Sequence, residues 1–356
     1  MERKVRKRRG KKAARTKKGQ HIGATAIAIV LLLVVGTALC CLLPFSAKST
    51  TNFIYVGTAD TTLAAVCAQT DTIATLPARA GFRLMATLTG YAKHPRQGRY
   101  AAAPGETALA VFRRMRNGTQ APINLVIPSV RTKQRLAAYL GERLMVDSTA
   151  ISGALSDTAL CSAYGHDTLT ILCLFIPNTY EVFWDIEPDQ LLARMEKESR
   201  HFWRGERAQR AHGLRLTTTE VSILASIVEE ETNNAAEKPL VAGMYYNRLQ
   251  AGMPLQADPT IKFALGDFSL RRIWHSMLTV DSPYNTYINT GLPPGPIRIP
   301  TIESIDAVIH LEHHNFLYMC AKEDFSGTHN FAATYSEHLK NARRYSEALN
   351  NRGLKR

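Results

Sequence analysis

The sequence predicts an α+β protein with one transmembrane helix near its N-terminus. Residues 22–45 contain no charged side chain and are long and apolar enough to cross a membrane. From residue 53 onward, short strand-like runs alternate with longer helix-like segments, and neither type dominates. The 356 residues leave room for two domains besides the helix.

The positive charge of the chain is concentrated at its N-terminus. The formal net charge is +14, and residues 1–18 hold 11 Lys and Arg against one Glu. These residues supply +10, so the remaining chain carries only +4. No aromatic or helical nucleic-acid motif accompanies the run, so we expect no nucleic-acid partner. We interpret residues 1–20 as a cytoplasmic tail that controls membrane topology.

The apolar segment fits a membrane-spanning helix, which we place at residues 21–47. The 24 charge-free residues 22–45 extend roughly 36 Å as a helix, enough for a hydrocarbon core of about 30 Å. Signal peptides have shorter apolar cores and small residues near the cleavage site, whereas bulky Phe45 precedes the nearest candidate site, after Ala47. We therefore predict an uncleaved anchor in the cytoplasmic (inner) membrane, with residues 48–356 on the periplasmic face.

The cysteines form no recognisable metal motif. The chain has six, without a CxxC pair, and two of them lie in the predicted anchor. The other four lie in the exported part, where disulfides are permitted: Cys67, Cys161, Cys173 and Cys320. Their spacing fixes no pairing, so we expect buried free thiols.

Three histidines have helical spacing, but they do not form a metal-binding pattern. His310, His313 and His314 stand at positions i, i+3 and i+4 of a predicted helix. A third-ligand pattern such as HExxH does not accompany them. We expect surface or packing roles for these side chains, and neither a metal nor another cofactor.

Residues 53–150 are predicted to form a small α+β subdomain. The runs FIYV, GRYAAA and INLVIP predict strands, while TTLAAVCAQ and GFRLMATLTGY have helical spacing. Thr107 can cap the helix ALAVFRRMRNG, Gly118 suits its C-terminal end, and Thr132 can open another helix. This part contains no cluster of nucleophiles or ligands, so recognition or support is its expected role.

Residues 160–348 are predicted to form the second domain. The apolar run in LTILCLFIPNTYEVFW predicts a buried strand, and helical spacing resumes at residues 188–203. Farther along, GMPLQADPT has no helical period. The segment DSPYNTYINTGLPPGPIRIP holds five prolines between residues 283 and 300, which makes its backbone stiff.

The helix predicted from LTTTEVSILASIVEEETNN ends in three glutamates that point in different directions. Glu231 continues the apolar stripe of the helix, and Glu230 lies at its margin. Glu229 lies above a face of small side chains, which leaves a shallow space for a sugar ring. A solvated acidic helix end is the alternative explanation. A partly desolvated carboxyl would have a raised pKa and could act as a general acid, which favours Glu229 as the acid and Glu231 as a supporting residue.

Two segments after this helix predict a carbohydrate-binding groove. Tyr284, Asn285 and Thr286 lie in the proline-rich loop, and Gln256 and Asp258 lie in the loop before it. Aromatic rings stack on sugar faces, while amides and hydroxyls bond to sugar oxygens. A stiff polar linker is the alternative, but a rigid loop of this composition within a domain is more often a binding site.

Several segments resemble the endolytic murein transglycosylases of the MltG (YceG-like) family. They follow one another in the family's order over nearly the whole exported chain: QGRYAAAPGETALAVFRRMRNG, IPNTYEVF, SILASIVEEET, GMYYNRLQAGMPLQADPT, SPYNTYINTGLPPGPI and GTHNFAATYSEH. The chain departs from the family in a longer basic tail and in Arg298-Ile299-Pro300, where a shorter Asn-Pro turn is expected.

The resemblance implies a fold, an activity and partners. It implies a LysM-like subdomain at 53–150, a YceG-like catalytic domain at 160–348, and the catalytic acid at Glu229, with Asn247 in a supporting role. The implied reaction is lytic cleavage of the MurNAc–GlcNAc bond within nascent peptidoglycan strands, which leaves 1,6-anhydroMurNAc ends and limits strand length. Peptidoglycan and the membrane are the implied partners, with cell-wall synthases as further candidates.

A lytic mechanism needs only one carboxyl group. That group protonates the leaving oxygen and then takes the proton of the sugar's own C6 hydroxyl, which attacks the anomeric carbon. Hydrolysis needs a second carboxylate, for which Asp258 is the obvious loop candidate. If Glu229→Gln kept full activity, Glu231 would be the next candidate for the acid. The alternative function is a non-catalytic glycan-binding scaffold, which would not need an acid.

Overall fold

A computed structural model of the chain describes residues 25–58 and 61–352. The predicted basic tail, residues 1–20, lies outside the described part. The first described helix, α1 (Thr25–Leu42), has a mean hydropathy of 2.7, and none of it is buried within the protein. By length and composition it fits a membrane anchor or a signal sequence.

The contacts of the chain divide it into two compact units. Unit 1 comprises Met1–Ile123 and Phe183–Asp185, and unit 2 comprises Asn124–Val182 and Ile186–Arg356. Each unit contains helices and strands, which confirms the predicted α+β class.

Unit 1 is built around a two-stranded antiparallel sheet. Tyr55 of the first strand pairs with Arg99 of the second. Alternate residues of the first strand, Ile54 and Val56, are fully buried, as expected for a strand with one face on a core. The elements that follow α1 in unit 1 are β1 (Asn52–Val56), α2 (Leu63–Ile73), α3 (Leu76–Leu88), a 3₁₀ turn (Tyr91–Lys93), β2 (Gly98–Ala102) and α4 (Ala108–Asn117).

The ends of the helices in unit 1 follow the signals in the sequence. The Thr107 hydroxyl accepts a hydrogen bond from the Ala110 N–H at 3.2 Å and begins α4. Gly118 ends α4 with a φ of 72°, a left-handed conformation that glycine adopts easily. The strands predicted from FIYV and GRYAAA are β1 and β2, so these predictions are confirmed.

The chain enters the core of unit 1 directly after α1. Phe45 is fully buried; its N–H donates to the Glu106 carbonyl at 2.7 Å, and its carbonyl accepts from the Thr75 N–H at 2.8 Å. A Cβ added to Gly81 of α3 would lie 2.5 Å from the carbonyl oxygen of Cys40. The last turns of α1 therefore pack against α3 within unit 1.

Unit 2 is mainly helical, and three of its helices, α10, α11 and α13, pack together and contribute most of one buried apolar cluster. Its strands form two small sheets, one of β3 with β4 and the other of β5 with β6. The elements are β3 (Ile123–Val126), α5 (Lys133–Gly141), α6 (Ser148–Ala154), α7 (Thr158–Ala163), β4 (Thr179–Val182), α8 (Pro188–Phe202), α9 (Glu206–Gly213), α10 (Thr218–Glu231), α11 (Lys238–Gln250), α12 (Asp258–Leu265), α13 (Ile302–Ile309), β5 (Tyr318–Ala321), β6 (His329–Ala332) and α14 (Tyr335–Asn351).

One predicted strand of unit 2 is wrong. The apolar run Ile171–Leu174 is buried, as expected, but it forms a 3₁₀ helix. The Asp167 carboxylate accepts hydrogen bonds from the N–H groups of Leu169 at 2.8 Å and Thr170 at 2.7 Å. These bonds hold the chain in a turn just before the run, so the run continues as a tight helix.

Two other local predictions for unit 2 are also wrong. Asp258 begins helix α12, although its segment shows no helical period; Pro259 follows in the first turn, where proline is tolerated. Helix α13 ends at its cap residue His310, so His313 and His314 lie beyond the helix. Both differences arise at helix ends, where a short element offers little periodicity.

The cysteines are free thiols, as predicted, among the residues that the structure describes. Cys67, Cys161 and Cys173 are buried, whereas Cys320 is partly exposed. Burial raises the pKa of the Cys67 and Cys161 thiols, so neither is a ready nucleophile.

Candidate active site

Helix α10 carries the three glutamates at its C-terminal end. It begins with the predicted capping box, in which the Glu220 N–H donates to the Thr217 hydroxyl at 3.2 Å and the Thr217 N–H donates to the Glu220 carboxylate at 2.7 Å. Its residues from Val221 to Val228 are all buried. After this buried stretch, residues 229–231 at the C-terminal end are partly exposed, so the helix can meet a substrate there.

Glu229 is bound by hydroxyl groups and a cation. Its Oε2 accepts from the Thr301 hydroxyl at 2.5 Å and from the Ser304 hydroxyl, and Lys238 Nζ lies 3.6 Å from the same oxygen. Burial alone would raise the pKa of Glu229, but the two hydroxyl donors and Lys238 outweigh it and lower the pKa overall. The prediction of a raised pKa at Glu229 is therefore wrong, and its carboxylate is ionised at neutral pH.

The small side chains beneath Glu229 face the core of unit 2. Ser222, Ala225 and Ser226 are each at most 1% exposed. The Ser226 hydroxyl accepts a hydrogen bond from the Ile297 N–H at 3.0 Å, and α13 packs against α10. The small residues permit this close packing, so the space expected for a sugar ring beside Glu229 is filled by the protein.

Glu230 is held between two arginines. Arg131 donates to it through Nε at 2.6 Å and through Nη2 at 2.9 Å, and Arg298 donates through Nη1 at 3.0 Å. Paired hydrogen bonds of this kind are among the stronger ion-pair geometries. Arg298 and Arg131 thus hold the end of α10.

Glu231 has the properties of a general acid. It is partly exposed, and its Oε1 accepts a hydrogen bond from the Tyr245 hydroxyl at 2.5 Å. Burial, helped by the negative charge of Asp258, outweighs the hydrogen bond from Tyr245 and raises the pKa of Glu231 to about 7. A large fraction of this carboxyl therefore keeps its proton at neutral pH.

Glu231 lines a cavity of about 210 Å³ within unit 2. One water molecule needs about 10–15 Å³ of such space, so the cavity has room for a ligand as large as a sugar ring. The polar side chains that line the cavity include Tyr245, Arg248, Gln256, Asp258, Tyr287 and His329. The raised pKa and the cavity thus coincide at Glu231, a combination typical of active sites.

Two of the predicted substrate-binding residues, Gln256 and Asp258, lie at this cavity. Gln256 has a φ of 51°, a strained conformation for a residue other than glycine, and its Oε1 accepts from Arg248 Nη1 at 3.2 Å. Asp258 accepts a hydrogen bond from the Tyr287 hydroxyl at 2.5 Å. Both side chains are exposed at the cavity wall, where each can bond to a sugar hydroxyl.

Two others, Asn285 and Thr286, lie in the interior, at 0% and 1% exposure. The Asn285 amide donates to the carbonyls of Leu278 at 2.9 Å and Val280 at 2.8 Å. The Thr286 hydroxyl accepts from the Ala257 N–H at 3.0 Å. This corrects the expectation that these side chains face a groove. Asn285 instead holds its own loop, and Thr286 holds the backbone between Gln256 and the start of α12.

Tyr284 and Asn247 also make contacts away from the cavity. The ring of Tyr284 packs against that of Phe263, with 4.6 Å between ring centroids. The Asn247 amide donates to the carbonyls of His314 at 2.7 Å and Phe316 at 3.1 Å. Asn247 therefore supports the segment that leads into β5, and Tyr284 supports the proline-rich loop.

The family follows from a comparison with known proteins. A family model described as the YceG-like family matches residues 56–344. The chain belongs to the YceG-like family. A crystal structure of a YceG-like protein from Listeria monocytogenes superposes with a TM-score of 0.53 over 82% of this chain and 99% of that chain, at 23% identity. The two proteins share their fold.

Relatives of this YceG-like chain carry the name endolytic murein transglycosylase. The one from Bacillus subtilis (strain 168) is 41% identical over 127 residues, which cover 36% of this chain and 34% of that protein. The one from Streptococcus pneumoniae serotype 2 (strain D39) is 34% identical over 137 residues, which cover 37% of this chain and 24% of that protein. The chain thus aligns with about a third or less of the length of these relatives.

Three polar residues of this YceG-like site were not predicted from the sequence: Tyr245, Arg248 and His329. Tyr287, which also lines the cavity, belongs to the proline-rich loop for which a carbohydrate groove was predicted. Tyr245 is a core residue of α11 and is 1% exposed. The sequence of this helix therefore does not indicate the hydrogen bond from Tyr245 to Glu231. His329 Nδ1 lies 3.0 Å from the carboxylate of buried Glu237. The segment GTHNFAATYSEH, which contains His329, was the only signal that could have pointed to it.

The histidines near the site pack against the protein. His314 Nε2 lies 3.0 Å from the Leu240 carbonyl oxygen, and its Nδ1 accepts from the Phe316 N–H at 3.1 Å. Within residues 25–58 and 61–352, no group of three or more His, Cys, Asp or Glu side chains is placed to hold a metal ion.

Proposed function

We propose that this protein is an endolytic lytic transglycosylase that cleaves the MurNAc–GlcNAc bond within peptidoglycan strands and so limits their length. Its family and the names of its relatives support this activity. The observation that carries the proposal is the carboxyl of Glu231, whose pKa is about 7 and which lines a cavity large enough for a sugar ring.

In this proposal the acid is Glu231 rather than Glu229. The Glu229 carboxylate is ionised and engaged by two hydroxyl groups and Lys238, so it has no proton to deliver. Glu231 has a pKa near the working pH, the condition under which a carboxyl both donates and accepts protons efficiently. We assign Glu229 a structural role in joining α10 to α13.

The reaction requires two proton transfers at one carboxyl. Protonated Glu231 donates its proton to the glycosidic oxygen, and the bond from this oxygen to the anomeric carbon breaks. The resulting carboxylate accepts the proton of the MurNAc C6 hydroxyl, whose oxygen bonds to the same carbon. The products are a 1,6-anhydroMurNAc end and a free GlcNAc hydroxyl, and Glu231 regains its proton.

The other cavity residues hold the acid and the substrate. The Tyr245 hydroxyl fixes one oxygen of Glu231. Asp258, held by Tyr287, and Gln256, held by Arg248, present oxygen and nitrogen atoms that can bond to sugar hydroxyls. We therefore retain Gln256 and Asp258 as substrate-binding residues.

We extend the proposal to location and domain roles. The +10 charge of residues 1–18 and the apolar helix α1 support an anchor in the cytoplasmic membrane, with the N-terminus in the cytoplasm and residues 48–356 outside. The order β1, α2, α3, β2 in unit 1, with its two strands paired, supports the LysM-like assignment. The substrate strands are made by cell-wall synthases, which makes these enzymes candidate partners.

The test is the chemistry of the ends produced from isolated peptidoglycan strands in water labelled with ¹⁸O. We expect 1,6-anhydro ends without label, because the C6 hydroxyl rather than water completes the reaction. Glu231→Gln should produce almost none. Labelled reducing ends would show a hydrolase and indicate Asp258 as a second carboxylate. Intact strands after incubation with the wild-type protein would contradict the proposed activity.

A further inference from the structure

Helix α3 of unit 1 presents an apolar stripe to the solvent. Its residues Leu76, Ala80, Leu84 and Leu88 are spaced by four and share one side of the helix. Leu76 is 77% exposed, Leu84 38% and Leu88 75%. The opposite side is buried in the core of unit 1 through Ala78, Phe82, Met85 and Ala86. Large leucines in such a row are unusual on a surface that faces only water.

The contact between α3 and α1 fixes where this stripe lies. Gly81 of α3 approaches the backbone of Cys40 so closely that an added Cβ would lie 2.5 Å from the Cys40 carbonyl oxygen. Cys40 is two residues before the end of the apolar helix at Leu42, about 3 Å along the helix axis. Leu84 and Leu88 stand three and seven residues after Gly81, so they lie on the side of α3 that adjoins α1.

The apolar surface continues from the end of α1 to the start of α3. A hollow of about 480 Å³ is lined by Leu43 and Pro44 after α1 and by Thr75 and Pro77 around the first turn of α3. Lys48 also lines it and supplies a positive charge. An apolar hollow with a cation at its edge matches the boundary between acyl chains and anionic headgroups.

We propose that α3 lies in the headgroup region of the same membrane that α1 enters, with Leu76, Leu84 and Leu88 inserted among the lipids. We assign the lipid bilayer as the partner of the stripe, because α3 packs beside α1, the apolar helix that can cross a bilayer. Unit 1 is thereby held against the membrane by α3 as well as by α1. The inference rests on the proposed anchoring by α1.

Tryptophan fluorescence in bilayers tests this contact. The full-length protein is reconstituted into phosphatidylcholine–phosphatidylglycerol vesicles that contain lipids brominated in their acyl chains, which quench nearby tryptophan. The variants Leu84→Trp and Leu88→Trp report on the stripe, and Tyr55→Trp on the exposed face of β1 is the matched control in the same unit. The emission of the three native tryptophans is subtracted with the wild-type protein.

We expect the added emission of Leu84→Trp and Leu88→Trp to fall by at least about half, and that of Tyr55→Trp to change little. Leu31→Trp in α1 tests separately whether α1 itself lies in the bilayer. If Leu31→Trp is quenched while Leu84→Trp and Leu88→Trp behave like Tyr55→Trp, the inference about α3 is overturned and the anchor stands. If Leu31→Trp is not quenched, the proposed anchor fails, and the inference fails with it.

Discussion

Replacing Glu231 by Gln separates the catalytic role of this carboxyl from its effect on stability. Glu231→Gln keeps the size of the side chain and an oxygen that can accept from the Tyr245 hydroxyl. It has no proton to transfer and cannot become charged. Loss of acid catalysis should lower the rate of glycan cleavage by about 10²- to 10⁴-fold, measured as the rate at which 1,6-anhydro ends appear.

The same substitution should stabilise the fold at alkaline pH. The pKa of Glu231 rises from its ordinary value of 4.5 to about 7, a difference equivalent to roughly 3 kcal/mol at about 1.4 kcal/mol per pKa unit. Because the folded state binds this proton more tightly than the unfolded state, the stabilisation is complete below about pH 4.5 and is lost as the pH rises through about 7. Glu231→Gln escapes that loss because its side chain stays neutral.

Urea denaturation at pH 5 and pH 8 measures this difference. Between these two values, the wild type should lose up to about 3 kcal/mol of unfolding free energy relative to Glu231→Gln. Equal pH dependence in the two proteins would refute the raised pKa of Glu231.

Glu229→Gln is the matched control, because it makes the same change two residues earlier on the same helix. The pKa of Glu229 is lowered, so its stabilisation is present above its ordinary pKa of 4.5 and is lost as the pH falls. Glu229→Gln should therefore lose stability at pH 8, because Lys238 and the two hydroxyl donors lose a charged partner and Lys238 keeps, among the described residues, only Glu303, 3.0 Å away. It should keep most of its cleavage activity. Full activity in Glu231→Gln, with no activity in a stable Glu229→Gln protein, would reverse the assignment.

Three further substitutions test the remaining roles. Asn285→Ala should lower the free energy of unfolding by about 2 kcal/mol or more, because two carbonyls lose their donor; an unchanged melting temperature with weaker glycan binding would restore its predicted binding role. Asp258→Asn should still produce 1,6-anhydro ends by mass spectrometry, since the lytic route needs one carboxyl, and complete loss of those ends would implicate Asp258 in the chemistry. Gly81→Ala should destabilise the protein by about 1–3 kcal/mol in urea denaturation, because its Cβ would meet the Cys40 carbonyl at 2.5 Å. Gly153→Ala, which meets nothing within 4 Å, is its control, and equal stability of the two variants would argue against the packing of α1 on α3.

Helix ends were predictable from the sequence because caps depend on neighbouring residues. Thr107, Thr132 and Thr217 each accept a hydrogen bond from the N–H three residues later, as their positions indicate. The family resemblance is confirmed as well. These features depend on short stretches of chain that can be read without knowing the fold.

The choice among the three glutamates depends on distant residues, which a single helix pattern cannot show. The hydroxyls that bind Glu229 belong to Thr301 and Ser304, more than 70 residues away, and Tyr245 comes from the next helix. The pattern did place Glu231 on the apolar side of α10, and that position is the cause of its raised pKa. The burial of the Glu231 carboxyl could therefore be predicted from the sequence. The hydroxyl donors that lower the pKa of Glu229 could not.

Polarity was a poor guide to exposure in the proline-rich loop. Such a segment has no ladder of backbone hydrogen bonds, so its carbonyl groups need side-chain donors. Asn285 supplies two of these donors from a fully buried position. A polar side chain in an irregular loop can thus serve to bond the backbone carbonyls of that loop, rather than to bind a ligand.

The segment Phe183–Asp185 belongs to unit 1 although the chain on either side of it belongs to unit 2. The Trp184 ring meets that of Tyr55 edge-on at 5.0 Å, and Asp185 accepts from the Gln120 amide at 2.8 Å. A fragment that ends at residue 123 would lack these contacts, and one that begins at 124 would expose an aromatic segment to aggregation. Neither unit can be separated from the other by a single break in the chain. A truncated or recombined variant must therefore keep both units, or join residues 183–185 to unit 1.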